Sequence, residues 1–378
     1  MNTTLLHSWH EAAGAKFAPF AGYDMPISYP MGAVEEHRLC RRSVGLFDID
    51  HMGQFVLQGR GATDALSGLV TAKIDDMQAK EARYAMLLNE KGGVIDDLFL
   101  YRLGEEDWFI VVNAGNRAED FAWFSAHLQK LPGFSALTFK DISDETYMIA
   151  VQGPKAVELL DKSCDGAPLV STMQRATMEF CTIFGIDCKV GRTGYTGEDG
   201  VEIYCNIKDV EKLWTSFLNK AKDLGIEAGP IGLAARDSLR FEAGMPLHGH
   251  EISQSILPME ALLSWACDFD KEFIGKAALL KAKEAGLTRK LCTLNITGGV
   301  PREGYRVLDA DGKPLGDGTT SGLCVCGMFC PTVGTYSANA FVPPEYAKVG
   351  TQLKVEIRGA GKDAVVAKRP LYLPVYRK

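Results

Sequence analysis

Apolar and polar positions alternate over 53–58, which predicts a strand, and the spacing over 62–69 predicts a short helix behind it. Two apolar-rich runs, 83–88 and 94–101, flank the turn Asn89-Glu90-Lys91-Gly92-Gly93 and read as a hairpin. A second turn at 104–107 leads into 108–113, a continuous apolar run of the kind that forms a buried strand. Asn116, with Glu119 three positions on, opens a helix in the manner of a capping box, and the pattern carries it to about Lys130. The order β-α-β-β-β-α-β predicts an antiparallel sheet with its helices on one face. The pattern then partly recurs. A strand over 146–152 is followed by a helix opened by Gly153-Pro154, strands near 176–185, 187–192 and 201–205, and helices over 209–224 and 231–240. From about Arg289 the chain is strand-rich, with turns at 309–313 and 316–318 and no convincing helix, which predicts a separate small β domain, sandwich or barrel.

At the N-terminus, Thr3 to Trp9 reads as a capped amphipathic helix with Leu5, Leu6, Trp9, Ala12 and Ala13 on one face and Gly14 as its stop. The stretch has no charged n-region, long apolar core or small-residue cleavage site, and no arginine precedes Arg38, so neither a secretory signal nor an Arg-rich transit peptide is expected. No run approaches the ~20 apolar residues of a membrane span. The 378 residues exceed the ~250–300 at which single cores stop growing, so two or three domains are expected. Lysine plus arginine number 41 against 48 aspartates and glutamates, a net charge of −7. Such a chain offers no broad basic face to nucleic acid. Ten cysteines without a CxxC pair are too sparse for a disulfide scaffold and read as reduced core residues of a cytosolic protein. Cys324, Cys326 and Cys330 are close enough to hold a soft metal. The competing reading, alternate strand positions and a following turn, is favoured because structural zinc usually takes four ligands.

Familiar catalytic motifs are missing. Gly59-Arg60-Gly61 lacks the third glycine and the βαβ setting of a dinucleotide loop, and there is neither a P-loop nor a Gly-x-Ser-x-Gly elbow. His248-Gly249-His250-Glu251 reads as a loop, since histidines at i, i+2 diverge on a helix and no second histidine cluster completes a metal shell. Asp96-Asp97 lies inside an apolar strand, so one carboxylate faces inward while its neighbour faces water. An inward carboxylate needs a hydrogen-bond partner or a functional reason. In 192–203, Gly194, Gly197 and Gly200 permit unusual φ values and close approach to a flat ligand, with Tyr195 to cover a ring and Glu202 at the start of a strand whose Val201 and Ile203 face the other way. A plain hairpin loop is the alternative. Arg236 and Arg240, four apart on one helix, share a polar face with nearby Glu242, and that face is either functional or simply solvated.

Taken in order, several segments resemble the aminomethyltransferase (T-protein) family of the glycine cleavage system. They include Phe20-Ala21-Gly22-Tyr23-Asp24-Met25-Pro26, Gly45-Leu46-Phe47-Asp48, His51-Met52, Gly92-Gly93-Val94-Ile95-Asp96-Asp97, Val151-Gln152-Gly153-Pro154, Gly194-Tyr195-Thr196-Gly197-Glu198, Arg236-Asp237-Ser238-Leu239-Arg240, Leu263-Ser264-Trp265 and Thr320-Ser321-Gly322. The resemblance spans essentially the whole chain. It implies an α+β fold: a three-domain ring of two ferredoxin-like α+β units and a C-terminal β barrel or jelly-roll-like domain around a central folate cavity. The units would be 1–50 with about 141–288, then 51–140 carrying Asp97, and 289–378. It also implies the reaction, in which an aminomethyl group on the lipoyl arm of H-protein passes to tetrahydrofolate. Asp97 matches the family's catalytic carboxylate. Met52, Tyr84, Asn113, Tyr195, Glu202, Arg236, Trp265 and Arg302 match positions at the folate site, and no metal is implied. Chemically, a carboxylate such as Glu202 suits the paired N–H donors of a pterin edge.

The chain departs from the family at Asp50, where serine is common, at Cys324–Cys330, where relatives usually show Ser-Pro, and at His248 and His250. Two rival functions share the scaffold. One is another tetrahydrofolate-dependent demethylase. The other is a folate-binding iron–sulfur assembly protein, whose Lys-Gly-Cys-Tyr signature is replaced here by 267–275. The expected setting is the cytoplasm, or the mitochondrial matrix for a eukaryotic chain trimmed of its transit peptide.

Overall fold

The structure is a computed structural model that describes residues 1–374 and Tyr376. The fold is α+β, and it divides into two compact units: Met1–Ala85 with Asp97–Leu239, and Met86–Asp96 with Arg240 onward.

The first unit holds a six-stranded sheet and most of a five-stranded one. In the six-stranded sheet the order is Met178–Ile183, Ile186–Gly191, Gly200–Asn206, Thr146–Gln152, Val44–Asp48, Ala228–Pro230, antiparallel except for the last pair. Thr146–Gln152 is buried along its whole length, so its alternation shows in which core each residue joins. Tyr147, Ile149 and Val151 pack with Leu159, Leu213, Trp214 and Phe217 of the helices Ala156–Asp161 and Val210–Asp223. Met148 and Ala150 turn the other way and meet Tyr101, Phe109 and Tyr204. Val201 and Ile203 likewise join the helix-facing core, which leaves Glu202 and Tyr204 on the opposite face, as alternation requires.

The five-stranded sheet has the order Ala82–Leu88, Val94–Gly104, Asp107–Val112, Gly53–Gly59, Leu137–Asp141. The helices Ala62–Leu69 and Arg117–Leu128 stand where the pattern placed them. Asn116 does not cap through its side chain, because a 3₁₀ turn over Ala114–Asn116 already leads into the helix. Phe55 meets Phe121 and Phe139 edge-on at 5.5 and 5.6 Å, and Trp108 Nε1 donates to Thr63 Oγ1 at 3.0 Å.

The N-terminal helix is shorter than the pattern predicts. It covers His7–Ala12 with no side-chain cap, and Leu5 is exposed. The Thr4 hydroxyl is committed elsewhere, donating to Asp48 Oδ2 at 2.7 Å. The same buried carboxylate accepts from Tyr147 at 3.0 Å and bonds His10 Nε2 at 2.9 Å. The network ties the chain start to the strand Val44–Asp48.

In the second unit six antiparallel strands run in the order Val307–Leu308, Gln352–Ile357, Ala360–Ala367, Lys290–Ile296, Thr335–Val342, Leu323–Cys330, curled into a half-barrel. Cys324, Cys326 and Cys330 all fall on its last strand, with a bulge between the first two. Among the described residues no group of three or more His, Cys, Asp or Glu is arranged to hold a metal ion, and no helix is long and apolar enough to cross a membrane.

Candidate active site

Strand pairing sets the first group of polar side chains. The register Phe99↔Val111 and Leu100↔Ile110, continued outward, puts Asp97 opposite Asn113 at the end of Asp107–Val112. Asn113 Nδ2 donates to Asp97 Oδ1 at 2.7 Å and to the Asp97 carbonyl at 3.0 Å. The Tyr84 hydroxyl donates to Asp97 Oδ2 at 3.0 Å. Both carboxylate oxygens of a half-buried Asp97 are therefore held by neutral donors. Asp96, its strand neighbour, is fully buried. The inward and outward assignment read from alternation therefore resolves with Asp97 as the accessible carboxylate.

The second group surrounds the hairpin loop between Ile186–Gly191 and Gly200–Asn206. Gln152 anchors the loop. Its Nε2 donates to the carbonyls of Thr193 and Val201 at 3.1 and 3.0 Å, and its Oε1 accepts from Thr196 Oγ1 at 2.9 Å. A Cβ at Gly194 would lie 2.0 Å from Gln152 Oε1, so glycine is required there by the anchor rather than by a ligand. Arg41, nearly buried, clamps the other side of the loop by donating to the Thr196 carbonyl at 2.7 Å and to Glu198 at 3.0 Å.

Within this frame Glu202 Oε2 accepts from Thr193 Oγ1 at 2.6 Å, and Thr193 in turn bonds the Tyr101 hydroxyl at 2.7 Å. Among the described residues Glu202 Oε1 has no hydrogen-bond partner. Burial pushes the Glu202 carboxyl above its usual range, opposed by Thr193 and by the charge of Arg236. The Arg236 guanidinium lies over the Tyr195 ring, 4.8 Å from its centroid, and its side chain makes no hydrogen bond to any described residue. Burial lowers its pKa, while Glu202 and Tyr195 act in the opposite sense. A carboxylate edge, an uncommitted guanidinium and an aromatic face thus stand together on one unit. Such a set can accept from paired N–H donors and stack a flat ring.

Met52 is half-buried against the core that contains Tyr101 and Phe109. Beside it are two residues that sequence reasoning did not place in a site. His51 is buried, and its Nδ1 has no hydrogen-bond partner among the described residues. Burial and the positive charge of Arg236 drive its imidazole down to about 3, so it is neutral near pH 7. Asp50 accepts from the Met148 amide at 3.1 Å, yet burial and the adjacent Asp48 carboxylate push it up to about 9. Gln152 and Arg41 were missed too. No local signal marks Gln152 or Arg41, because the loop residues they hold are more than forty positions away.

Trp265 and Arg302 belong to the second unit. Trp265 sits on a 3₁₀ turn, 71% exposed, so it is not a core residue. Arg302 is exposed, with Nη1 3.5 Å from the Gly327 carbonyl. The reading of a solvated face is overturned for Arg240, which is 1% exposed. Its Nη1 donates to both oxygens of Glu251 at 2.9 Å, and Cys326 and Asn339 also donate to that carboxylate at 2.9 and 2.6 Å. Although burial opposes it, the Arg240 charge and these donors hold Glu251 at about 2. The carboxylate of the His248–Glu251 loop is thus fully committed to an ion pair.

Comparison with known proteins adds the family. The GCVT N-terminal domain model matches residues 6–271, and the glycine cleavage T-protein C-terminal barrel domain model matches 289–372. The chain is 40% identical over 382 residues to an aminomethyltransferase of Symbiobacterium thermophilum, covering 100% of this chain and 99% of that protein. It is 38% identical over 375 residues to an aminomethyltransferase of Chlorobaculum parvum, covering 98% of each. The crystal structure of glycine cleavage system aminomethyltransferase T from Bartonella henselae superposes with a TM-score of 0.90 at 32% identity, covering 100% of this chain and 99% of that one. With both family models matched and full-length relatives above 30% identity, the chain belongs to the glycine cleavage T-protein family.

Proposed function

We propose that this protein is an aminomethyltransferase that takes an aminomethyl group from the lipoyl arm of H-protein and transfers its methylene carbon to tetrahydrofolate. The products are 5,10-methylenetetrahydrofolate, ammonia and dihydrolipoyl H-protein. The observation that carries the reading is the pairing of an unpartnered Glu202 Oε1 with an uncommitted Arg236 over Tyr195, in a chain whose full-length relatives are aminomethyltransferases. Glu202 accepts from the N–H edge of the pterin, a charge-assisted contact. Tyr195 supplies a ring face and Arg236 a cation beside it. Met52 completes the folate contacts of this unit in this reading. Asp97, fixed by Tyr84 and Asn113, takes or holds the proton of the folate nitrogen that attacks the methylene carbon, and its charge favours the cationic transition state. In organisation we read 51–140 as the unit carrying Asp97, 1–50 with about 141–288 as the folate-binding unit, and 289–378 as the C-terminal β domain. The bacterial relatives favour a cytoplasmic setting.

Incubation with aminomethyl-loaded H-protein and tetrahydrofolate tests the proposal. Ammonia should be released only when both are present. Tetrahydrofolate at about 100 times its Kd should raise stability by ~2.7 kcal/mol through linkage. No ammonia with loaded H-protein, but turnover of a methylated donor, would assign the chain to the demethylase branch of the scaffold. No thermal shift at millimolar tetrahydrofolate would sink the folate reading altogether.

A further inference from the structure

Nine of the ten cysteines are buried, and Cys164 alone is half-exposed. It follows the helix Ala156–Asp161 and forms an isolated antiparallel bridge with Ile183. The Asp165 amide donates to the Thr182 carbonyl at 2.8 Å and the Phe184 amide to the Ser163 carbonyl at 3.2 Å. Cys164 and Ile183 are therefore a non-hydrogen-bonded pair, the type whose side chains stand closest. Cys181 is two residues before Ile183, on the same face of the strand and diagonal to Cys164, and its thiol donates to the Pro168 carbonyl at 3.7 Å. Cys181 is paired with Cys188, and the Lys189↔Tyr204 register puts Cys188 opposite Cys205. All four thiols pack on the helix-facing core, and only the Cys164 end of the row reaches solvent.

The neighbouring Cys181 thiol draws the Cys164 thiol below its usual pKa, against burial and the negative charges of Asp161 and Asp165. Access, thiolate character and an adjacent second thiol are the combination that makes a cysteine oxidant-sensitive. The family reaction and the proposed site use none of these groups. We propose that Cys164 and Cys181 form a peroxide-sensitive dithiol, in which Cys164 is oxidised first and Cys181 resolves it as a disulfide. The Cys164 thiolate attacks one oxygen of hydrogen peroxide, the O–O bond breaks, and hydroxide leaves and takes up the thiol's former proton as water. The Cys181 sulfur then attacks the sulfenic sulfur of Cys164. The S–S bond forms, the S–O bond breaks, and the oxygen departs as a second water with the Cys181 proton. Two thiols lose two electrons, and one peroxide is reduced to two waters. The cross-link ties the turn after Ala156–Asp161 to the edge strand Met178–Ile183, on the sheet face opposite Glu202.

The test titrates the intact chain with hydrogen peroxide, blocks remaining thiols with N-ethylmaleimide and maps peptides by mass spectrometry without reductant. One cross-linked pair, Cys164–Cys181, two hydrogens lighter than the separate peptides and reversed by dithiothreitol, is the expected product. Before oxidation, Cys164 should alkylate at least ~10-fold faster than any other cysteine. Cys164→Ser, at the open end of the row, should abolish the cross-link and leave Cys181 reduced at the same dose. Cys181→Ser should leave a Cys164 sulfenic acid that dimedone captures. A different pairing, no cross-link after Cys164 itself has been oxidised, or another cysteine alkylating first would overturn the proposal.

Discussion

Asp97→Asn separates charge from geometry at the proposed catalytic position. In the native site Asn113 Nδ2 donates to Oδ1 at 2.7 Å and the Tyr84 hydroxyl to Oδ2 at 3.0 Å. An amide oriented with its oxygen toward Asn113 keeps the first bond, and its NH₂ then meets a hydroxyl that can rotate to accept. Both contacts survive as neutral hydrogen bonds, so global stability should change by no more than ~1 kcal/mol. The negative charge is nevertheless gone. If it takes the folate proton or favours the cationic transition state, kcat should fall ~10²–10⁴-fold. At 1.36 kcal/mol per decade this is roughly 2.7–5.4 kcal/mol on the barrier, well above the structural cost. Ammonia release with aminomethyl-loaded H-protein measures the rate, and calorimetric titration measures tetrahydrofolate binding, which should fall much less. Asp96→Asn is the control. Asp96 is fully buried, so its substitution should lower stability while the folded fraction turns over near the native rate. A full-rate Asp97→Asn enzyme, or equal kcat losses in the two variants, would refute the assignment.

Glu202→Gln puts an amide nitrogen where a pterin presents donors, and should weaken tetrahydrofolate binding by roughly 1.5–3 kcal/mol; an unchanged Kd by titration would remove Glu202 from the site. Asp50 has its pKa raised from the usual ~3.9 to about 9, so the native state binds the extra proton, and stability falls as pH rises across that window. Asp50→Asn should therefore be more stable than the parent by on the order of 1–3 kcal/mol at pH 9 and indistinguishable near pH 4, as read by urea denaturation. Glu251, held at about 2, contributes stability that is present above the unfolded value of ~4.3 and lost as pH falls toward 2. Glu251→Gln should cost ~3–5 kcal/mol at pH 7 by leaving Arg240 buried without its counter-charge, and equal denaturation midpoints would contradict this.

The elements that periodicity placed well are those whose own residues carry a regular pattern, Thr146–Gln152 among them although its strand partners, Val44–Asp48 and Gly200–Asn206, are distant in sequence. The hairpin Ala82–Leu88 with Val94–Gly104 and the helix Ala62–Leu69 follow from local alternation and turn chemistry. Val44–Asp48 was not legible as a strand. It is five residues long and includes a glycine, and it is made a strand by Ile149–Gln152, a hundred residues later, and by Ala228–Pro230. A Cβ at Gly45 would lie 2.7 Å from Ile231 Cγ1, so even the glycine answers to a distant contact. The capped helix read over Thr3 to Trp9 starts only at His7 for the same reason, since the Thr4 hydroxyl serves Asp48, forty-four positions away. The face of Arg240 could be read as functional or as solvated, and its burial against Glu251, which also accepts from the distant Cys326 and Asn339, decides against the solvated reading. Residue types announced the chemistry, whereas burial and pairing were decided by non-local packing.

The same distinction separates the two carboxylates of the proposed site. In sequence, Asp97 and Glu202 are both acids set in strands, and nothing local says which binds and which reacts. Their surroundings differ in one respect. Each oxygen of Asp97 already accepts from a neutral donor, so the group is oriented before any ligand arrives, a requirement for proton transfer at a fixed atom. Glu202 is buried with only Oε2 engaged, and burial raises the cost of its charge. A carboxylate in that condition gains most from a ligand that brings N–H donors to Oε1, because charge-assisted hydrogen bonds there offset the cost of its burial. Prior orientation suits Asp97 to the chemical step, and the open edge of Glu202 suits it to recognition. Loss of Glu202 should therefore act chiefly on affinity, and loss of the Asp97 charge on turnover.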